Sequence, residues 1–168
     1  MKRNQTQIRS LTFAAVLAAL YTVLTLLSSL FGLSGGAVQL RLSESLTILP
    51  AICPAFLVPG AVSGLAVGCF LSNFITGCAV WDVLFGTLAT LLGALGTAAM
   101  RKFPRLAWIS PVLANTLIVP QILIAVYGAK EALWFLTLTV GIGELLSCGG
   151  LGLLVTYVWK RVFPKDRI

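Results

Sequence analysis

Glu144 is the only charged residue in the apolar run from Ala132 to Trp159. At about 1.5 Å per helical residue, such a run crosses a hydrocarbon core of about 30 Å, and Glu144 falls near its middle. A carboxylate there costs on the order of 2.5–3.5 kcal/mol on insertion scales, so it calls for a partner. Its two acceptor oxygens match paired N–H donors, such as N1–H and N2–H of a guanine-like base. A ligand ammonium would satisfy them equally. A structural bond to Asn115, or a carboxyl kept protonated, would do so without any ligand. Glu44 and Asp82 add two more acids, Arg41 a guanidinium, and Gln39, Asn73 and Gln121 further amides. Asp82 also has a purely local explanation, since a helix N-terminus favours an anion.

Other chemistries lack their residues. The chain has no histidine, no C-x-x-C spacing among Cys53, Cys69, Cys78 and Cys148, and no G-x-x-x-x-G-K-[ST] phosphate loop. A zinc site, a disulfide framework and intrinsic ATP hydrolysis are therefore not expected. Neither is a metal, a cofactor or an enzyme activity, because no nucleophile–histidine set can form.

The surroundings of these polar groups are those of a membrane. Of 168 residues, 58% are hydrophobic and 10% charged, with a mean hydropathy of +1.00. Soluble domains carry about 25% charged residues. The net charge of +7 does not point to nucleic acid. Lys2, Arg3 and Arg9, then Arg101, Lys102 and Arg105, then Lys160, Arg161, Lys165 and Arg167 flank apolar segments, as the positive-inside rule expects. One transmembrane domain over 1–168 is predicted, with a retained first helix rather than a cleaved signal peptide.

Six helices are expected, over about 10–32, 43–55, 58–76, 82–100, 106–127 and 132–160. Between the first two, Ala37 to Ser43 alternates apolar and polar residues, the period of a short strand-like loop. No charge occurs from Ser45 to Trp81, but Pro50, Pro54 and Pro59-Gly60 break that run into a short helix and a full one. Counting the short helix as a crossing puts all three basic clusters on one side, with both termini cytoplasmic. Gln39, Arg41, Glu44, Asn73, Asp82 and Gln121 then fall in or near the outer half, with Asn115 and Glu144 deeper. That arrangement predicts a small-molecule pocket opening outward. Gly60, Gly64, Gly68, Ser72 and Thr76 form one small-residue face, as do Gly86, Thr90, Ala94 and Ala98, each suited to close helix packing. Ala14/Ala18 and Ala15/Ala19 form another, for internal packing or for docking another subunit.

Several stretches resemble one family. Gly36-Ala37-Val38-Gln39-Leu40-Arg41-Leu42-Ser43-Glu44-Ser45-Leu46 with Leu49-Pro50 is similar to the "GAVQ-x-R-x-SEAL…LP" signature of QueT proteins, with Ser45 where alanine is expected. Gly68 to Asn73, Asp82 to Leu91 and Val140 to Glu144 extend the resemblance. It implies a substrate-binding (S) component of an energy-coupling-factor (ECF) transporter, an all-α six-transmembrane-helix bundle in a prokaryotic cell membrane. Implied partners are a transmembrane T component and two ATPase subunits, and the implied substrate is a queuosine precursor, a 7-deazaguanine. Such a ligand suits a deep carboxylate, flanking amides and Trp or Phe stacking. On this reading Glu144 reads the base edge, Asp82, Asn115 and Asn73 support it, and Arg41, Glu44 and Gln39 shape the outer loop. Ala14, Ala15, Ala18 and Ala19 match the docking face for the T component. Two rivals stand beside it: a self-sufficient carrier or channel using Glu144 for a small cation, and a membrane scaffold in which Glu144 is structural.

Overall fold

The computed structural model describes residues 2–33 and 40–163, with side chains from Asn4 onward. Gln39 lies outside the described residues. Those described are helical or connecting, with no strand among them. Six helical segments follow in order: α1 (Lys2–Leu30), α2 (Leu42–Ile52), α3 (Val58–Ile75), α4 (Val80–Ala99), α5 (Ile109–Ala125) and α6 (Leu133–Val162). The stretches containing α1, α3, α4 and α6 are long and apolar enough to cross a membrane, whereas α2 and α5 are shorter apolar helices. Large apolar side chains such as Val16, Leu113, Leu117 and Leu138 stand exposed on the outer faces. This suits a lipid surround, where every backbone group must be satisfied inside the helix.

The first helix starts at Lys2, earlier than the apolar boundary at Ser10. Its 29 residues reach about 44 Å, so the exposed polar turns from Asn4 to Arg9 extend the rod beyond its apolar part. α1 packs along α3 through the small-residue face of the latter. A methyl built on Gly64 would lie 2.6 Å from the Ala14 carbonyl oxygen, and one on Gly68 would lie 2.9 Å from that of Ala18. Ala18 is buried in this seam and Ala14 half-buried, whereas Ala15 and Ala19 face outward. The four-alanine docking face is thus divided: Ala14 and Ala18 serve internal packing, and Ala15 and Ala19 remain on the surface. The cause is helical phase, since adjacent residues lie about 100° apart.

α2 is the element the others enclose. Seven residues of 3-10 helix, Leu42–Ile48, run into four of α-helix, Leu49–Ile52, giving about 20 Å in all. Every residue from Ser43 to Ala51 is buried. The predicted strand-like alternation therefore ends in a helix at Leu42 and Ser43, and 37–39 lie outside the described residues. The polar groups at the start of α2 find local partners. Ser28 Oγ accepts from the Leu42 N–H at 2.9 Å, Thr25 donates to Ser43 Oγ at 2.8 Å, and Ser45 donates to the Leu42 carbonyl at 2.6 Å. At the far end, Arg101 donates to the Pro50 and Cys53 carbonyls at 2.9 and 2.8 Å. A guanidinium there satisfies carbonyls that a terminating helix leaves open.

α4 packs against α3 and α5, and α5 against α6. In α6 the hydrogen bonding widens to a π-helix over Leu145–Leu151, directly after Glu144, before returning to α-helix at Gly152. Its glycines contribute little helix propensity, and Gly152 lies against α2. A methyl built on Gly152 would lie 3.6 Å from the Ser45 carbonyl oxygen. The seam between α2 and α6 brings Glu44 to Glu144.

Candidate functional site

Glu44 and Glu144 are among the buried charged side chains, 1% and 6% exposed. Glu44 projects from the first turn of α2, and Tyr21 of α1 donates a hydrogen bond to its Oε1. Its Oε2 is buried with no hydrogen-bond partner. Cys148, one helical turn beyond Glu144, donates to Glu144 Oε2 at 3.2 Å and approaches the Glu44 carbonyl at 3.4 Å. Asn115 from α5 faces both carboxyls. Glu44, Glu144 and Cys148 each offer one ligand atom, all within 4.8 Å of one another, and are the residues that could hold a cation.

These groups form the floor of a two-tier site. The lower tier is a pocket of about 20 Å³ bounded by Arg41, Glu44, Asp82, Thr90, Asn115 and Glu144, room for about one water. Above it, at the end of the bundle where the α3–α4 and α5–α6 connections lie, a cavity of about 370 Å³ is bounded by Thr25, Arg41, Asn73, Asp82, Ile122 and Tyr127. That is within the range of small-molecule sites. Arg41, Asp82 and Val119 line both tiers. Arg41 interacts electrostatically with Glu44 and Asp82, so one guanidinium stands between floor and wall.

Asp82 is the third residue of α4, and Ala79 at the helix start makes no side-chain cap. The carboxylate turns instead to Tyr127, whose hydroxyl donates to Oδ2 at 2.8 Å while accepting from the Ala79 N–H at 3.2 Å. Partial burial and the neighbouring Asp82 push the phenol of Tyr127, beyond the end of α5, up to about 12. It therefore remains a donor at neutral pH. Asn73 is 1% exposed, with Oδ1 unpartnered. Gly86 makes space here, because a methyl on it would lie 3.0 Å from Asn73 Nδ2 and 3.5 Å from Asp82 Oδ1.

The structure thus brings together Arg41, Glu44, Asn73, Asp82, Asn115 and Glu144. Glu44 belongs to the floor beside Glu144 rather than to the outer loop. Gln121 does not join them. It is exposed and lines a separate surface groove with Trp81 and Phe85. Val119, Ile122 and Leu123 carry the cavity face of α5, and Gln121 falls out of phase with it. Among the described residues no Trp or Phe lines the cavity, where the aromatic residue is Tyr127. Trp81 and Phe85 stack on each other instead, with ring centroids 6.0 Å apart. Tyr21, Tyr127 and Cys148 escaped the sequence reading. For Cys148 a signal existed in its four-residue spacing from Glu144. For the two tyrosines no local pattern marks the partner.

Comparison with known proteins assigns the chain to a family. Residues 11–161 match the family model described as QueT transporter. A relative from Lactococcus lactis subsp. cremoris, named queuosine precursor transporter QueT, is 35% identical over 104 residues. That alignment covers 61% of this chain and 57% of the relative. No solved structure matches. The match to the family model extends over nearly all of the described helices, and the family is one of transporters rather than enzymes. The chain is a member of the QueT transporter family.

Proposed function

We propose that this chain is the substrate-capturing subunit through which a queuosine precursor, a 7-deazaguanine, enters a prokaryotic cell. The observation that carries the reading is a buried, incompletely satisfied carboxyl pair beneath a cavity of about 370 Å³. An unpaired buried acceptor is costly, and a base edge with two N–H donors removes that cost. Glu144 and Glu44 accept from the base at the constriction, Asn115 orients them, and Asn73 and Asp82 hold the part of the ligand in the outer cavity. Arg41 shapes the mouth.

In this reading the six helices form one transmembrane domain, all crossing the membrane, with both termini cytoplasmic and the cavity opening outward. The basic residues at the opposite end, including Arg101, Lys102, Arg105, Lys160 and Arg161, support that orientation. Energy comes from outside the chain, from a T component and two ATPase subunits of an ECF complex that dock on the exposed Ala15/Ala19 side of α1.

Calorimetry on the purified chain tests the reading. A 7-deazaguanine binds tightly, and Glu144→Gln weakens it about a hundredfold, the scale of a charged hydrogen bond in a desolvated site. Unchanged affinity in that variant would remove Glu144 from the site. The convergence of Glu44, Glu144 and Cys148 favours a second reading, a self-sufficient carrier of a small cation. Ion-gradient-driven uptake by the isolated chain in liposomes, without any ATPase, would establish that instead.

A further inference from the structure

The seam between α2 and α6 holds a thiol as well as two carboxyls, and that combination has a chemistry of its own. Glu44, Glu144 and Cys148 each offer one ligand atom, and all three atoms lie within 4.8 Å of one another. Glu144 and Cys148 are four residues apart on α6 and so share a face; Cys148 Sγ lies 3.2 Å from Glu144 Oε2. Two ligands of one tetrahedral zinc, bonded at about 2.0–2.3 Å, lie about 3.5 Å apart, so a small shift admits the ion. Glu44 reaches in from α2. Its Oε1 accepts from Tyr21, while its Oε2 is buried with no hydrogen-bond partner. Such an acceptor is costly, and a cation between the two helices would satisfy it.

The surroundings suit a bound ion. Tyr21 orients Glu44, Asn115 faces both carboxyls, and the Thr47 hydroxyl lies 3.6 Å from Cys148 Sγ. Partners of this kind fix the direction of metal ligands. The adjoining pocket of about 20 Å³ has room for about one water, the fourth position of a zinc with three protein ligands. Arg41, Asp82 and Val119 line both this pocket and the wider cavity, which gives the ion a way in. Loading that displaces two protons, the thiol's and one from the carboxyl pair, leaves the charge of the site unchanged. The balance between Arg41 and Asp82 is then undisturbed. Ligands brought together from positions 104 residues apart form no local Cys or His pattern, and no histidine is needed.

We propose that Glu44, Glu144 and Cys148 form a binding site for one thiophilic divalent cation of the zinc class. The thiolate favours zinc, cadmium or cobalt over magnesium and calcium, which prefer oxygen ligands alone. The site stands whatever molecule the outer cavity receives.

The test uses the full chain in detergent with a non-chelating reductant and no base present. Zinc is titrated by calorimetry and cobalt by absorption. One zinc binds per chain and raises the unfolding temperature, and cobalt gives a thiolate charge-transfer band. Cys148→Ser abolishes the band and weakens zinc at least about tenfold; Glu44→Gln weakens zinc similarly. A chain with Cys53, Cys69 and Cys78 all replaced by Ser keeps both band and affinity, and excess magnesium does not displace zinc. Failure of the unsubstituted chain to bind zinc overturns the proposal, as does a cobalt spectrum without the thiolate band. Neither result depends on a variant that folds. Zinc affinity unchanged in Cys148→Ser would overturn it too. A failure to bind 7-deazaguanines, by contrast, would leave it intact.

Discussion

The two ends of the bundle handle polar groups in opposite ways. At the basic end, the Arg101 guanidinium closes on the Pro50 and Cys53 carbonyls, Ser10 Oγ accepts from the Gly60 N–H at 3.0 Å, and Phe13 meets Trp159 edge to face. At the cavity end, Glu44 Oε2 and Asn73 Oδ1 are buried without partners, and Asp82 is held on one oxygen by a tyrosine. A fold optimised only for stability would satisfy both ends alike. The difference separates the part of the chain that keeps α2 in place from the part that leaves buried acceptors unpaired, as a trade between stability and function would.

Four variants probe that division. Arg101→Ala should have the largest effect on the fold, about 3 kcal/mol, since two charged hydrogen bonds disappear and leave two carbonyls open. Thermal unfolding in detergent measures it, while the affinity of the remaining folded fraction stays the same; an unshifted transition would mean that α2 is held by packing alone. Glu44→Gln works the other way. Replacing a buried carboxyl by an amide should stabilise the empty protein by about 1–2 kcal/mol and weaken ligand binding; a loss of stability would show that Tyr21 and Asn115 already satisfy the carboxylate. Tyr127→Phe should cost about 1 kcal/mol of binding, the net worth of one hydrogen bond, read as a several-fold rise in Kd, with unfolding little changed. Replacing Ala15 and Ala19 together by Trp should change neither unfolding nor affinity. Co-purification with the T component and ATPases would be lost, and retained assembly would move the docking face elsewhere.

The site was legible in the sequence where membrane physics made a residue anomalous. Glu144 stands alone in its run, and Glu44, Arg41 and Asp82 are the few charges between long apolar stretches. The four-residue spacing of Gly60, Gly64 and Gly68 likewise revealed a seam before its partner was known. What the sequence concealed depends on rotation and distance in space. Gln121 has the right chemistry and depth but the wrong helical phase. Ala14 and Ala15 are adjacent, yet one turns inward and the other outward. Tyr21 reaches Glu44 across a break of 23 residues and Tyr127 reaches Asp82 across 45, separations at which no periodicity survives. The alternation that ends at Ser43 did not reveal that its last two residues, Leu42 and Ser43, begin a 3-10 helix.

The burial of α2 on every side has a consequence for how the protein is made. At about 20 Å this segment is too short to enter a bilayer of about 30 Å as an independent span, and lipid offers nothing to its hydroxyls and carboxyl. Its neighbours must draw it in, and one of them, α6, leaves the ribosome after the other described helices. The acidic floor therefore comes into being only once α6 has been made. A chain stopped before Leu133 would lack Glu144 and Cys148, and with them half of that floor.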